Sequence, residues 1–568
     1  MMQRIIFLFS SFLLLYACQS PQELAQDMTL PEPDADHGVL NLPEGFGAFL
    51  VADTLKGLRH IVVRDNGDIY VSHARAQDGF GRKALRDTNN DGRMDSIVSF
   101  TSFVGTGMNI HKDYLYMAND SMIFRSKLVA DQLLPSEAID TIAFIPNTNT
   151  GHRSKTMTFD GQGNMYVNVG SFSNACLEKA RTKGSIGMDP CPELSYRAGI
   201  WRFKEDQLHQ TQEKDGVRYA SGIRNGMALE WNTATNSLYC LQHGRDQLSA
   251  LWPEHFNEEQ SALLPSEEFM QVNEGDDFGW PYCYFDHFQG KKILAPEYGG
   301  DGKEQGRCEG IKSPVVAFPG HMAPNDLLFY TGDQFPERYK DGAFIAFHGS
   351  WNRAPYNQGG YFVAFVPMKD GQAAGDWEIF ADGFVGPNPV ASPRDAVYRP
   401  CGLAQGPDGS IYVTDSQKGR IWRIAYYGED YKPAVKGGAA APKEAVFALN
   451  AAPGDDTPAG ELAVGQASYE QYCAVCHMKG GEGVPGMNPP LKGVEWVNGD
   501  KKRLIGIVLN GLTEPLEING ETYKNAMAAF PYLKDEQIAE ILTYVRSHFG
   551  NEADAVSAEE VKALRDNT

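Results

Sequence analysis

Short alternating patterns of apolar and polar residues dominate the chain from residue 41 to residue 428. Six times, a turn of Asp, Asn or Gly leads into a short strand rich in aromatic and β-branched residues, which is the signal of a β-hairpin. The six copies are residues 65–71, 113–116, 163–167, 236–239, 341–345 and 408–413. A hairpin that recurs with few helical patterns between its copies predicts an all-β six-bladed propeller. An array of β-sandwiches is the alternative, and the likeness of the six units argues against it.

The pattern changes near the C-terminus. Apolar residues recur at helical spacing at Ile538, Ile541, Leu542 and Val545, which predicts an amphipathic helix that begins near Asp535. We therefore expect a small all-α domain after the propeller, joined to it by a stretch rich in Gly, Ala and Pro that reads as a flexible tether. The predicted divisions are a signal peptide at 1–17, an N-terminal tether at 18–40, the propeller at 41–428, the linker at 429–465, the helical domain at 466–550 and a C-terminal tail at 551–568.

The helical domain carries a haem attachment signal. Cys473 and Cys476 are separated by two residues and His477 follows at once, which is the spacing that attaches haem c. A zinc site would need a second pair of cysteines at this spacing, and a redox pair would not need the histidine. The segment 523–530 resembles the distal-ligand segment of class I cytochromes c, which makes Met527 the expected second iron ligand. Met487, in the loop after the attachment signal, is the alternative.

The N-terminus predicts export. Arg4 precedes an apolar run that is too short to span a bilayer and that ends at Ala17 and Cys18. This ending resembles a bacterial lipobox, in which Cys18 becomes the lipidated first residue, and Gln19 resembles the sorting signal for the outer membrane. An ordinary secretory signal with a chance cysteine is the alternative. We expect a protein on the periplasmic side of a Gram-negative bacterium, attached to its membrane by lipid alone.

Charge and cysteine content narrow the function. A formal net charge of −22 argues against nucleic acid as a partner. In an oxidising compartment, the sequence-near pairs Cys176–Cys191 and Cys283–Cys308, each in a turn-rich stretch, are the expected disulfides. Cys240 and Cys401 lie in strand-like runs and are expected to be buried free thiols.

Basic and polar residues cluster where the predicted hairpins would open onto the central channel. Those before the first strand of a hairpin are Arg59, His60, Thr106, His152, Arg153, Lys155, Arg224, Asn225, Asn325 and Arg399. Those after the second strand are His73, Asn119, His243, Arg245, His348 and Asp415. For any single arginine a salt bridge between blades is the alternative. Together, so many cations would be costly to bury without an anion, which predicts a small polyanion at the channel mouth.

Several segments carry a family resemblance. Residues 151–152, 221–225, 278–283, 348–353 and 398–400 resemble the L-sorbosone dehydrogenase and pyranose dehydrogenase family, relatives of soluble quinoprotein glucose dehydrogenase. These six-bladed propellers use pyrroloquinoline quinone (PQQ), which is a tricarboxylate. The resemblance implies that His152 is the general base, and that the quinone is held by Arg59, Lys155, Arg224, Asn225, His348 and Arg399. It also implies a Ca²⁺ ion held by backbone carbonyls around Gly279 and Pro281. Lys155 stands where the family usually has arginine, which loses the planar two-pronged contact to a carboxylate.

A second Ca²⁺ site is predicted in the first hairpin region. Asp87, Asn89, Asp91 and Asp95 occupy relative positions 1, 3, 5 and 9 of a loop like the first part of an EF-hand. Position 12 is Val98 where an EF-hand has a bidentate glutamate. A solvated turn is the alternative, and the site would be structural.

These patterns predict an exported quinohaemoprotein dehydrogenase. It would oxidise a sugar or a sugar-derived aldehyde with PQQ and Ca²⁺ and pass electrons through haem c to a downstream cytochrome or a membrane acceptor. The alternatives are a non-catalytic propeller that binds a carbohydrate or a partner, and a lactonase-like hydrolase.

Overall fold

We describe a computed structural model of the chain. It describes residues 30–146, 151–386, 388, 390–432, 446, 447, 449, 465, 466, 468, 469, 472–478, 480–484, 487–531 and 533–566. Cys18, the predicted signal peptide and most of the predicted linker lie outside the described residues. No helix in the described part of the chain is long and apolar enough to cross a membrane.

Six four-stranded antiparallel sheets form the propeller, and each contains one of the predicted hairpins. Blade 1 consists of Leu58–Val63, Ile69–Gln77, Phe80–Arg86 and Ser96–Phe100. Blade 2 consists of Met108–His111, Tyr114–Ala118, Met122–Lys127 and Ile139–Phe144, with Gln210–Thr211 added at its edge. Blade 3 consists of Met157–Phe159, Asn164–Val169, Gly199–Lys204 and Val217–Ser221. The predicted turns join the first and second strand of each blade.

The remaining blades follow the same order. Blade 4 consists of Ala228–Asn232, Ser237–Gln242, Glu267–Val272 and Val316–Phe318. Blade 5 consists of Pro324–Phe329, Ala343–Phe347, Phe362–Val366 and Glu378–Ala381. Blade 6 consists of Pro400–Gln405, Ile411–Asp415, Ile421–Tyr426 and the N-terminal strand Phe46–Ala52. The first strands of successive blades lie side by side around the axis and form its inner ring.

The ring is closed by strands from its two ends. Phe46–Ala52 pairs antiparallel with Ile421–Tyr426, with Phe46 opposite Tyr426 and Leu50 opposite Trp422. The N-terminal strand therefore completes the last blade. Every sheet is covered by its neighbours on both faces. Most blade strands are therefore buried along nearly their whole length.

Apolar clusters between neighbouring blades form the core. One of them joins blades 5 and 6 through Phe344, Phe365, Trp422 and Ile424, all at most 1% exposed. Comparable clusters lie between the other adjacent pairs of blades. Burying a side chain of this size contributes about 1.5–3 kcal/mol, so the ring is stabilised by these contacts between its blades.

Blade 4 carries a long insertion between its last two strands. The insertion contains the hairpin Cys283–Asp286 with Lys291–Leu294. Two short helices, Leu248–Leu251 and Glu258–Leu263, lie earlier in the same blade, between its second and third strands. A further hairpin, Met368–Lys369 with Gln372–Ala373, extends blade 5. Short 3₁₀ turns are His37–Val39, Pro192–Ser195, Pro296–Tyr298, Gly306–Cys308 and Glu337–Tyr339.

The C-terminal domain is small and helical, as predicted. Its helices are Ala474–His477, Glu495–Asn498, Lys501–Asn510, Asp535–Ser547 and Ala558–Arg565, with a hairpin of Leu516–Ile518 and Glu521–Tyr523. Ile538, Ile541, Leu542 and Val545 are all buried in its core. The stretch expected to be a tail contains the helix Ala558–Arg565, whose Val561 is buried in the same core.

Candidate functional site

The mouth of the central channel gathers side chains from several blades. The first strand of a blade begins at this end and the second strand ends there, so residues before the one and after the other meet. Arg59 Nε donates to Thr106 Oγ1 at 3.4 Å, joining blades 1 and 2. Arg399 Nη2 lies 2.9 Å from His348 Nδ1, joining blades 5 and 6. The charges of Arg399 and Arg59 both act, after burial, to lower the pKa of His348, so the predicted side chains Arg59, His348 and Arg399 lie close together.

Three cations at this end are without a carboxylate partner among the described residues: Arg59, Lys155 and Arg399. The guanidinium of Arg399 donates to the carbonyl oxygens of His348 and Gly349. Lys155 is wholly buried and its Nζ donates to the carbonyl of Arg153 at 2.7 Å. Burial, with the charge of Arg197 second, lowers the pKa of Lys155 to about 7. Such groups fit an anionic ligand, because uncompensated buried charge is costly.

Arg224 lies at the mouth and is bonded to acceptors of the protein itself. The residue is 3% exposed, and its guanidinium donates to Asn174 Oδ1 at 3.0 Å, to the Gly244 carbonyl at 2.7 Å and to Asp246 Oδ2 at 3.0 Å. These contacts satisfy the guanidinium within the protein. Arg224 therefore holds two loops of the mouth together, and its contact to the quinone stays a prediction.

His152 is oriented by a single neighbour. Its Nδ1 lies 3.0 Å from the carbonyl oxygen of Ser171 and 3.1 Å from its Oγ. A carbonyl only accepts, so Nδ1 carries the hydrogen and Nε2 is the basic nitrogen. Burial, followed by the charge of Arg224, lowers the pKa of His152 well below 6.5. His152 is therefore neutral near pH 7, as a general base must be.

Two buried amide oxygens of described residues stand out at the mouth, one beside His152 and the other on an asparagine that is bonded to Asp246. Asn225 Oδ1 and Asn352 Oδ1 have no hydrogen-bond partner among the described residues. The backbone of Gly170 separates Asn225 from His152: a Cβ at Gly170 would stand 3.0 Å from Asn225 Oδ1 and 2.6 Å from His152 Cβ. Unpaired buried oxygens are rare and point to a ligand that supplies donors or a cation. The mouth thus has the composition of a binding site.

Sequence reasoning missed the residues that connect these groups. Asp246 accepts from Arg224 and from Asn352 Nδ2, the latter at 2.8 Å, and its Oδ1 lies 3.9 Å from His321 Nδ1. Burial is the largest single influence and raises the pKa of Asp246, but Arg224 together with neighbouring basic groups outweighs it and holds this pKa below its usual value. Asp246 follows the predicted mouth residue His243 closely in the chain. This proximity in sequence is the signal that could have identified Asp246 as part of the mouth.

The predicted metal positions are not gathered in the same way. The Gly279 carbonyl accepts a hydrogen bond from Cys283 N–H at 2.9 Å, and the Trp280–Pro281 peptide is cis. In the loop 87–95, Asp87 accepts from backbone N–H groups and Asp95 from Thr88. Among the described residues, the only three His, Cys, Asp or Glu side chains with ligand atoms within 4.8 Å of one another are Cys176, Cys191 and Glu193. Both Ca²⁺ sites stay predictions.

The cysteines occupy the expected states. The structure contains the disulfides Cys176–Cys191 and Cys283–Cys308, with S–S distances of 1.98 and 2.05 Å. Cys240 and Cys401 are buried free thiols.

The helical domain contains an apolar cavity of about 90 Å³. Cys473, His477 and Met527 line it. His477 Nδ1–H donates to the Pro489 carbonyl at 2.8 Å, which leaves Nε2 for a metal, and burial lowers the pKa of His477. Met527 is held by paired backbone hydrogen bonds with Leu512. Met487 lines a different cavity, so the geometry favours Met527 as the second axial ligand.

Fold and site together define a two-module redox protein: a propeller with a cationic mouth, and a domain whose apolar cavity is lined by Cys473, His477 and Met527. A family model described as TrAA12-like matches residues 40–427, and a cytochrome c model matches residues 462–549. The chain belongs to the TrAA12-like family, and its C-terminal domain is a cytochrome c domain.

Known relatives agree with this division. The chain is 25% identical over 332 residues to the pyrroloquinoline quinone-dependent pyranose dehydrogenase of Coprinopsis cinerea, covering 49% of this chain and 42% of that protein. The PQQ domain of the same enzyme in its holo form superposes with a TM-score of 0.54 at 19% identity, over 68% of this chain and 97% of that chain. Cytochrome c-552 of Thermus thermophilus is 38% identical over 119 residues, 19% of this chain and 80% of that protein.

Proposed function

We propose that this protein is an exported quinohaemoprotein dehydrogenase that oxidises a sugar or a sugar-derived aldehyde. The observation that carries the proposal is the mouth of the propeller, which contains His152 and three cations, Arg59, Lys155 and Arg399, that have no carboxylate partner among the described residues. The relationship to a pyranose dehydrogenase supports a pyranose or a related sugar as the substrate class.

The residues of the mouth fit pyrroloquinoline quinone. When bound, this group supplies a two-electron acceptor and three carboxylates. Arg59, Lys155 and Arg399 would hold the carboxylates, and Asn225 Oδ1 faces the same region as an unpaired acceptor. Arg224 acts one step back, by fixing Asn174 and Asp246. The predicted Ca²⁺ ion, held by the carbonyls of Gly279 and Pro281, remains part of the proposal.

His152 moves the proton of the reaction. Its Nε2 takes the proton of the sugar hydroxyl, while Ser171 holds Nδ1–H and so fixes the tautomer. Because its pKa is low, protonated His152 readily gives up the proton it takes. Base catalysis by a positioned side chain contributes about 10²–10⁴-fold to a rate.

The cytochrome domain would carry electrons away one at a time. Cys473 and Cys476 would attach haem c through thioether bonds, and His477 and Met527 would complete its iron. The thioether of Met527 favours a raised haem potential. The final acceptor would be a downstream cytochrome or a membrane carrier, and Cys18 would anchor the protein by lipid to the outer membrane, on its periplasmic side.

The test uses the full-length protein with haem c attached and no quinone. Substrate alone should leave the ferric haem spectrum unchanged, and quinone with Ca²⁺ should then produce the ferrous spectrum. In a separate arm, Ca²⁺ is chelated before the quinone is added. This arm tests the role of the ion, because Ca²⁺ would polarise the quinone oxygen. If no aldose, ketose or sugar aldehyde reduces either the haem or an added dye, the propeller binds a carbohydrate or a partner without catalysis.

A further inference from the structure

The two modules meet at a defined surface. The propeller and the cytochrome domain belong to one compact unit, Pro33–Thr568. Phe256 and Leu264, between the second and third strands of blade 4, and Phe288 of the blade 4 insertion line a cavity together with Met478, Val484 and Met487 of the cytochrome domain. We call these six residues the junction. Phe256, Leu264, Met478 and Val484 are at most 7% exposed, so the junction is mostly closed to solvent.

The described part of the linker is fixed beside the junction. Val446 is 8% exposed and packs in the cluster between blades 4 and 5, with Phe447 against the same cluster. Arg353 Nη1 donates to the Val446 carbonyl at 2.8 Å, and the Phe447 ring lies 6.0 Å from the ring of His287, the residue before Phe288. The predicted tether is therefore anchored near its middle. The anchor shortens the segment between the propeller and the cytochrome domain. It thereby raises the effective concentration of the cytochrome domain at the junction.

On the cytochrome side, the junction begins next to the haem site. Met478 directly follows His477, which lines the haem cavity. The Met478 carbonyl accepts from the Tyr469 hydroxyl at 2.6 Å, and its backbone is thereby held in place. The junction thus contacts the polypeptide one residue from the expected iron ligand.

On the propeller side, contacts through a buried histidine link the junction to the mouth of the channel. The carbonyl oxygens of Leu264 and Ser261 both lie near His321 Nε2, at 3.1 and 2.9 Å. His321 is 3% exposed, and its Nδ1 lies 3.9 Å from Asp246 Oδ1, the carboxylate that pairs with Arg224. A continuous series of buried contacts therefore runs from the substrate end of the propeller to the junction.

We propose that the junction is the intramolecular electron-transfer interface, through which the haem-bearing domain docks on blade 4 and receives electrons from the propeller mouth. This inference rests on the proposed function for the origin of the electrons. The partner is the chain's own cytochrome domain, recognised by apolar contact at Met478, Val484 and Met487. Electron transfer slows steeply with distance, so loss of docking should slow it even though the linker persists.

The test replaces junction residues that are partly accessible, Met487→Asp and Phe288→Asp, in the full-length holoprotein. Each places a charge in an apolar contact, which undocks the domain. Haem reduction by substrate in stopped flow should slow by about tenfold or more, with some transfer remaining because a tethered domain stays near millimolar effective concentration. Dye reduction by the propeller should be unchanged. Ile139→Asp, at an exposed position of blade 2, is the matched control and should change neither rate.

Two further measurements decide the outcome. The pair Met487→Lys with Phe288→Glu should recover part of the lost rate, because opposite charges across the junction attract. Hydrogen exchange of segments 256–264 and 286–289 should be faster in Met487→Asp than in the wild type. If neither the hydrogen-exchange rate nor the rate of haem reduction changes, the proposal that the junction is the electron-transfer interface is refuted. Absent dye reduction in the wild type would instead refute the proposed function, and the exchange measurement would still test docking.

Discussion

Replacement of Lys155 by methionine should make the stability of the quinone-free protein less dependent on pH. Lys155 is 0% exposed, and its ammonium donates to one carbonyl, that of Arg153. Burial, with the charge of Arg197 second, lowers its pKa from 10.5 to about 7. Methionine fills a similar volume without the charge.

The sign and size of the effect follow from proton linkage. Between about pH 7 and pH 10 the unfolded chain holds the proton on Lys155 and the folded chain has lost it, so stability rises with pH. At about 1.4 kcal/mol per pH unit, this residue alone should raise the free energy of unfolding by about 2 kcal/mol between about pH 7 and pH 9. Below about pH 7, Lys155 is charged in both the folded and the unfolded protein. The full cost of burying its charge then lowers the free energy of unfolding.

The measurement is urea unfolding of the propeller, followed by tryptophan fluorescence, in wild type and Lys155→Met at both pH values. The difference between the two proteins isolates Lys155 from other titrating groups. Added quinone should flatten the wild-type dependence, since a carboxylate beside Lys155 would restore its charge. The variant should bind quinone about 30-fold more weakly, the loss of a charge-assisted hydrogen bond of about 2 kcal/mol. Equal pH dependence in both proteins would show that Lys155 is not an unpaired buried cation.

Three other predictions concern separate parts of the chain. His152→Ala should retain quinone binding while the turnover number in a dye assay falls about 10²–10⁴-fold; lost binding with normal turnover at saturating quinone would refute its role as base. Met527→Ala should remove the methionine-to-iron charge-transfer band and lower the haem potential, whereas Met487→Ala should retain both; the reverse pattern would exchange their roles. Cys18→Ser should release a detergent-partitioning protein into the aqueous phase, since stable attachment needs more than one acyl chain; a wild type already in the aqueous phase would contradict lipidation.

Local patterns were sufficient for the blade count and for the class of the second domain. Each hairpin is specified by a turn and two short strands, which are contiguous in sequence, so six turns predicted six blades. The haem attachment sequence is likewise contiguous, and the helix Asp535–Ser547 follows the predicted apolar spacing. The pairing of Phe46–Ala52 with Ile421–Tyr426 joins the two ends of the propeller, and no local pattern indicates it.

The sequence by itself therefore determined the propeller, the cytochrome signal and the residue types at the mouth, because these depend on neighbours along the chain. Only the tertiary structure decided what each side chain does there. It pairs Arg224 with Asp246, whereas Arg59, Lys155 and Arg399 have no carboxylate partner in the part of the chain that the structure describes, although all four are basic residues beside predicted strands. Charge balance in a buried site depends on which distant segments meet, and that is set by the closure of the ring and the packing of its loops.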